Sequence, residues 1–176
     1  MFNIISDYHK VDKKKWHTFV KNHPLGNIFH TPEMVHLYSI SEKHEPLVIT
    51  CIKPDETIVG ILVADIQSEY GGILKLLSSR AIVWGGPLIK DSNLDVFNLI
   101  LKEFNKICKH KVVYSQFRNL WETSNYKNLF LSQKYHFEDH LDIHFDLSID
   151  TGIIWENIHP TRRKQINRGL KRGITT

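Results

Sequence analysis

The chain has 176 residues, 41% of them hydrophobic, which is enough for one ordinary core and excludes wholesale disorder. Its 23 basic and 19 acidic residues give a net charge of +4, but residues 151–176 hold six basic side chains (Arg162, Arg163, Lys164, Arg168, Lys171, Arg172) against one acid, Glu156, while residues 1–150 hold 17 basic and 18 acidic ones. A basic segment on a nearly neutral body excludes a protein coated in positive charge for wrapping DNA, and directs attention to one local anionic contact.

Phe2-Asn3-Ile4-Ile5 reads as a short first strand. Val11 to Asn22 has helical spacing, with Trp16, Phe19 and Val20 on one face and Lys13, Lys14 and Lys15 toward solvent. His23-Pro24-Leu25-Gly26-Asn27 is turn punctuation. Thr31 suits a helix cap and Pro32 the first helical position, so a helix is expected through about Ser41 with Met34, Leu37 and Tyr38 at core spacing. Leu47–Ile52 and Ile58–Ile66 read as strands joined by a hairpin-like turn at Lys53–Thr57. Ile73–Leu77 and Ala81–Trp84 continue the strand pattern until Gly85-Gly86-Pro87 breaks it. Leu94–Lys109 predicts an amphipathic helix with Phe97, Ile100, Leu101, Phe104 and Cys108 on one face. Val112–Phe117 reads as a strand and Tyr126–Ser132 as a short helix. His136–Ile149 alternates: Phe137, Leu141, Ile143, Phe145, Leu147 and Ile149 face one way, His136, Glu138, His140, Asp142, His144 and Asp146 the other. Asp150 caps a last helical segment, interrupted at Pro160 and resumed from Arg162 to Arg172. Early hairpins followed by a crossover helix predict an α/β fold with a mixed sheet and helices on its faces.

Cys51 and Cys108 lie in apolar patterns and read as reduced core thiols. The N-terminus has no signal-peptide pattern, and no apolar run approaches the ~20 residues of a bilayer span, so a soluble, cytoplasmic protein is expected. His136, His140 and His144 share the polar face of one expected strand, but polar alternation on a solvated sheet explains them, and no metal is expected. There is no nucleophile elbow, no Walker loop, no dinucleotide fingerprint, and no glycine-rich pyrophosphate loop between a strand and a helix. The stretch Pro160–Gly173 opens a helix with clustered positive charge, where free backbone N–H groups favour anions. A solvated basic helix and a phosphate-binding one both explain that composition.

Three segments carry a family resemblance. They are His23-Pro24-Leu25-Gly26-Asn27-Ile28-Phe29-His30-Thr31-Pro32-Glu33-Met34, then Val83-Trp84-Gly85-Gly86-Pro87-Leu88-Ile89-Lys90-Asp91, then Leu147-Ser148-Ile149-Asp150 with His159–Arg168. In this order they resemble the Fem-type peptidyltransferases (the FemAB and FemX group), related to the GNAT-fold acyltransferases. The resemblance implies a GNAT-like, largely antiparallel mixed sheet over residues 1–148 and, over 149–176, the basic helical opening of a second such domain otherwise absent from this chain. It also implies transfer of an aminoacyl or acyl group, from aminoacyl-tRNA or acyl-CoA, to the amine of a cell-wall precursor bound between the domains. By the same resemblance Arg162, Arg163 and Arg168 bind substrate phosphate and Tyr38 lines the cleft. Tyr38 stands where the family often has a diphosphate-contacting lysine, and no lysine follows until Lys43. No catalytic base is named by the resemblance. The competing expectation is a non-catalytic domain that contacts tRNA or another phosphate-bearing partner through the basic helix.

Overall fold

Two apolar runs joined by the turn at Lys53–Thr57 pair into the central hairpin of a mixed sheet. The computed structural model describes residues 2–141 and 146–174. The chain divides into two units, residues 1–138 and 139–176. In the first, the elements run β1 (Asn3–Ile5), α1 (Lys13–Asn22), α2 (Pro32–Ile40), β2 (His44–Ile52), β3 (Ile58–Gln67), α3 (Lys75–Ser78), β4 (Arg80–Trp84), β5 (Leu88–Ile89), α4 (Leu94–Cys108), β6 (Tyr114–Arg118) and α5 (Lys127–Ser132). The strand order is β1-β2-β3-β4-β6, with β5 also on β3. Every pair is antiparallel except β4 with β6, which the crossover through α4 makes parallel. This is the mixed, largely antiparallel sheet flanked by helices that the sequence predicts.

Short polar side chains start the helices where the sequence places them. Asp12 accepts from the N–H groups of Lys14 and Lys15, Thr31 Oγ1 from Met34, and Asn93 Oδ1 from Asp95 and Val96. The apolar faces then cover both sides of the sheet. Trp16, Val20 and Val35 of α1 and α2 pack on Val48, Ile61, Val63 and Leu88. Val96, Phe97, Ile100, Leu101 and Phe104 of α4, with Phe130 of α5, pack on Leu47, Ile49, Leu62, Ala64 and Val83. Cutting a fully buried ring such as Phe97 or Phe104 to alanine removes about 3–5 kcal/mol.

Several expectations are corrected. On α2 the fully buried residue is Val35; of the three residues expected at core spacing Tyr38 packs partly buried on the same cluster and Met34 is partly buried, but Leu37 is exposed. Ile73–Leu77 is not a strand but a 3-10 turn leading into α3. The edge of β3 beside it is already taken by β4, and the hydroxyls of Ser78 and Ser79 donate to the carbonyls of Leu74 and Lys75 to close helical turns. Leu88–Ile89, for which the sequence predicts no element after the break at Gly85-Gly86-Pro87, is a two-residue strand on β3. Residues 136–141 and 146–149 of the expected alternating strand form no strand, and Asp142–Phe145 lie outside the described residues. Period-2 alternation becomes a strand only where a sheet edge accepts it and a core covers one face. Among the described residues none pairs with this segment, and Leu141 is 96% exposed.

In the second unit Asp150 Oδ1 accepts from Gly152 N (2.8 Å) and starts α6 (Thr151–Asn157). His159 then caps α7 (Pro160–Lys171), whose first residue is Pro160. The proline therefore opens the basic helix rather than interrupting it.

Candidate functional site

In sheets with parallel strands, ligands are received beyond the carboxyl ends of those strands. Here that end is where β4 meets Gly85-Gly86-Pro87. Asp65 pairs with Ile82 and Ile61 with Leu88, so four steps along β3 face six along β4 and β5. The two extra residues form a bulge around the glycines. Gly85 and Gly86 both have left-handed φ (79° and 70°), and a Cβ on Gly85 would lie 2.9 Å from His30 Cε1 and Asn27 Nδ2. Gly85 N donates to Arg118 O at 2.8 Å, so β4 and β6 stay joined past their last ladder pair.

The space beyond is filled by side chains. His30, fully buried, donates from Nε2 to Gly86 O at 2.9 Å, and its own carbonyl accepts from Trp16 Nε1 at 2.7 Å. The Trp121 ring lies 6.1 Å from that of His30, and Asn119 packs against Gly86. Outside, Phe29 stacks on Trp84 and the Arg118 guanidinium lies 4.5 Å from the Trp84 ring centre. His30 Nδ1 and Asn119 Oδ1 are buried without a hydrogen-bond partner among the described residues. Burial pushes the His30 imidazole down to about 4, so it is neutral near pH 7.

A polar cluster occupies the opposite end of the same strands. The register aligns His44 with Gln67 and Gln67 with Arg80, one row across β2, β3 and β4. Asp65, two residues back along β3 and therefore on the same face, is 1% exposed. Its carboxylate accepts from His44 Nδ1 (2.8 and 3.0 Å to the two oxygens) and from Gln67 Nε2 (2.7 Å). Arg80 Nε donates to Gln67 Oε1 at 3.2 Å. Tyr38 stacks on His44 with ring centres 6.3 Å apart and planes 5° apart, and burial, with Asp65 nearby, pushes its phenol up to about 12. A cavity of about 320 Å³ opens here, with Glu42, Lys43, Glu69 and Arg80 around His44 and Gln67. Lys43 holds a left-handed backbone (φ 63°) while its carbonyl accepts from Ser68 N at 3.0 Å.

Of the residues singled out in the sequence, Tyr38 stands beside this cavity, half-buried. Arg162, Arg163 and Arg168 lie on α7 in the second unit; Arg162 and Arg168 are exposed, and Arg162 donates to Gln165 Oε1 at 2.8 Å. At ~100° per residue the three arginines fan around the helix and do not share one face. Cys51 and Cys108 are buried, and burial pushes both thiols up to about 11, away from nucleophilic use. Among the described residues no group of three or more His, Cys, Asp or Glu side chains is placed to hold a metal ion, and no helix is long and apolar enough to cross a membrane. Sequence reasoning missed His44 and Asp65. The signal present was an acid inside the otherwise apolar run Ile58–Ile66.

No protein-family model and no curated protein sequence matches the chain. Solved structures do. Glucosamine-6-phosphate N-acetyltransferase from Arabidopsis thaliana superposes with a TM-score of 0.56 at 10% identity, covering 83% of this chain and 99% of that one. An acetyltransferase from Trypanosoma brucei gives 0.55 at 9%, covering 84% and 100%. An aminoglycoside N-acetyltransferase in complex with CoA gives 0.52 at 9%, covering 83% and 98%. The chain therefore has the GNAT acetyltransferase fold.

In this fold a CoA diphosphate would find free N–H groups at a helix that follows a strand. The helix after β4 is α4, and its start is occupied by its own residues. Asn93 takes the N–H groups of Asp95 and Val96, and Asp91 and Asp95 place carboxylates at the same end. These residues do not fit a diphosphate.

Proposed function

We propose that this chain takes part in acyl transfer to an amine, as the first acyltransferase-fold domain of a Fem-type enzyme whose acceptor is a cell-wall precursor. The observation that carries the reading is the GNAT acetyltransferase fold of the chain, with helices on both faces of its sheet. The Fem-type choice is supported by the three sequence segments and by the mismatch between α4 and a CoA diphosphate, which favours an aminoacyl ester as donor. Chemistry of this kind needs chiefly a positioned amine and an activated carbonyl.

In this reading residues 1–148 are the first domain and 149–176 open a second. Tyr38 lines the acceptor cleft, and Arg162, Arg163 and Arg168 take the phosphate of the substrate. The charge of α7 supports that role: the helix contains no acid and carries five basic residues, so an anion is the favourable partner. The test is transfer of a labelled amino acid from charged tRNA to a UDP-linked muropeptide, by the protein in the length its gene encodes. Transfer whose KM rises about tenfold or more in Arg162→Ala/Arg163→Ala supports the reading. Salt-sensitive tRNA binding with no transfer from any donor replaces it with the non-catalytic alternative.

A further inference from the structure

We propose that the cavity at the start of β2 is an acceptor-amine site in which His44 is the general base and the buried Asp65 its positioning residue. The reaction rests on the acyl-transfer reading above; the place rests on the geometry that follows.

A carboxylate inside an apolar strand is costly to bury unless donors satisfy it, and the fold does not require one at this position. Asp65 is satisfied by a chain in which each link runs one way. Arg80 can only donate, so Gln67 Oε1 accepts from it and Gln67 Nε2 is turned to Asp65. The carboxylate accepts, so His44 Nδ1 carries a hydrogen, and in the neutral ring Nε2 is then the nitrogen with the lone pair. Nε2 lies across the ring from Asp65 and has no hydrogen-bond partner among the described residues. The Tyr38 ring, parallel to the imidazole, holds its plane. The side chain of His44 is 34% exposed, at the wall of the cavity. A buried carboxylate fixing Nδ1–H while Nε2 faces a cavity is the arrangement that makes an imidazole a directed base.

The surroundings suit an amine. The charged and titratable groups facing His44 are Tyr38 from α2, Asp65 from β3 and Glu69 just beyond it, Arg80 from β4, and Glu42 and Lys43 in the turn before β2. Glu42 and Glu69 offer carboxylates that can receive an ammonium group, beside Lys43 and the Arg80 that is engaged with Gln67. In the step itself the neutral amine nitrogen bonds to the acyl carbon of an activated ester. The bond from that carbon to the leaving oxygen or sulfur breaks. The amine proton passes to His44 Nε2 and from there to the leaving group.

The experiment is ¹⁵N NMR of the histidine rings and the Gln67 side-chain amide, with ethanolamine and glucosamine as probes and their N-acetyl forms as controls. The proposal expects the Nδ1–H tautomer for His44, lost in Asp65→Asn. It expects saturable shifts at His44 and Gln67 with the amines, at least tenfold weaker with the N-acetyl forms. Following Gln67, His44→Gln should weaken amine binding at least tenfold. This variant changes a partly exposed side chain, so it carries the test if Asp65→Asn does not fold. An Nε2–H tautomer, or equal shifts from amines and amides, overturns the site. In the transfer assay, a His44→Gln protein that keeps its rate and pH profile overturns the base while the acyl-transfer reading stands. Amine binding without transfer from any donor overturns the base and that reading together, and leaves an amine pocket.

Discussion

His30 and His44 sit at opposite ends of the same pair of strands, and their surroundings make them different groups. His30 is sealed beneath Gly86, with Nε2 on a backbone carbonyl and Nδ1 buried without a partner. His44 is partly exposed at the wall of a cavity, with Nδ1 on a buried carboxylate and Nε2 without a hydrogen-bond partner among the described residues. The first end spends its polar atoms on closing the bulge where a parallel pair ordinarily receives a ligand. The second leaves a base and a cavity where the register of three strands aligns polar side chains. An imidazole's role is thus set by what occupies its two nitrogens, not by its presence near a glycine turn.

The comparison can be broken at the sealed end first. Gly85→Ala places a Cβ against His30 and Asn27 in a left-handed backbone, and should cost about 3–4 kcal/mol, read as a lowered denaturation midpoint in urea. Next, the folded state holds His30 down at about 4 while the unfolded chain titrates at its ordinary 6.5. The unfolded state therefore binds more protons between these values, and stability should fall by about 3 kcal/mol as pH drops from 6.5 to 4. His30→Gln should remove that slope, checked by urea melts across the range.

At the open end the effects are smaller. Asp65→Ala removes the acceptor shared by His44 and Gln67 and should cost about 2 kcal/mol, measured in the same melts. His44→Gln should cost less than about 1 kcal/mol, because its ring is partly solvated already. A loss above that of Asp65→Ala would make His44 a structural residue and erase the contrast with His30. Arg162→Ala should change stability by under about 0.5 kcal/mol, since its side chain is exposed.

Much of the fold was legible locally. The Thr31 and Asp150 caps, the hairpin at Lys53–Thr57 and the inward stripe of α4 all follow from short-range chemistry. The misreadings fall where a distant neighbour decides. Ile73–Leu77 has strand composition but no free edge of β3 to join. His136–Ile149 alternates without a described strand to pair with. Leu88–Ile89 becomes a strand only because the bulge returns the chain to β3.

The candidate site was less legible. His44, Asp65, Gln67 and Arg80 are spread over 37 residues, and nothing in their spacing announces a cluster. The sequence by itself determined the element types, the caps, the apolar faces, the glycine corner and the concentration of positive charge after residue 150. Tertiary structure alone decided that the glycine corner is closed and that three strand termini align an imidazole, an amide and a guanidinium in one row beside a buried carboxylate. The reason is physical: caps and periodicity act within a few residues, whereas register and burial are set by pairing between strands far apart in the chain.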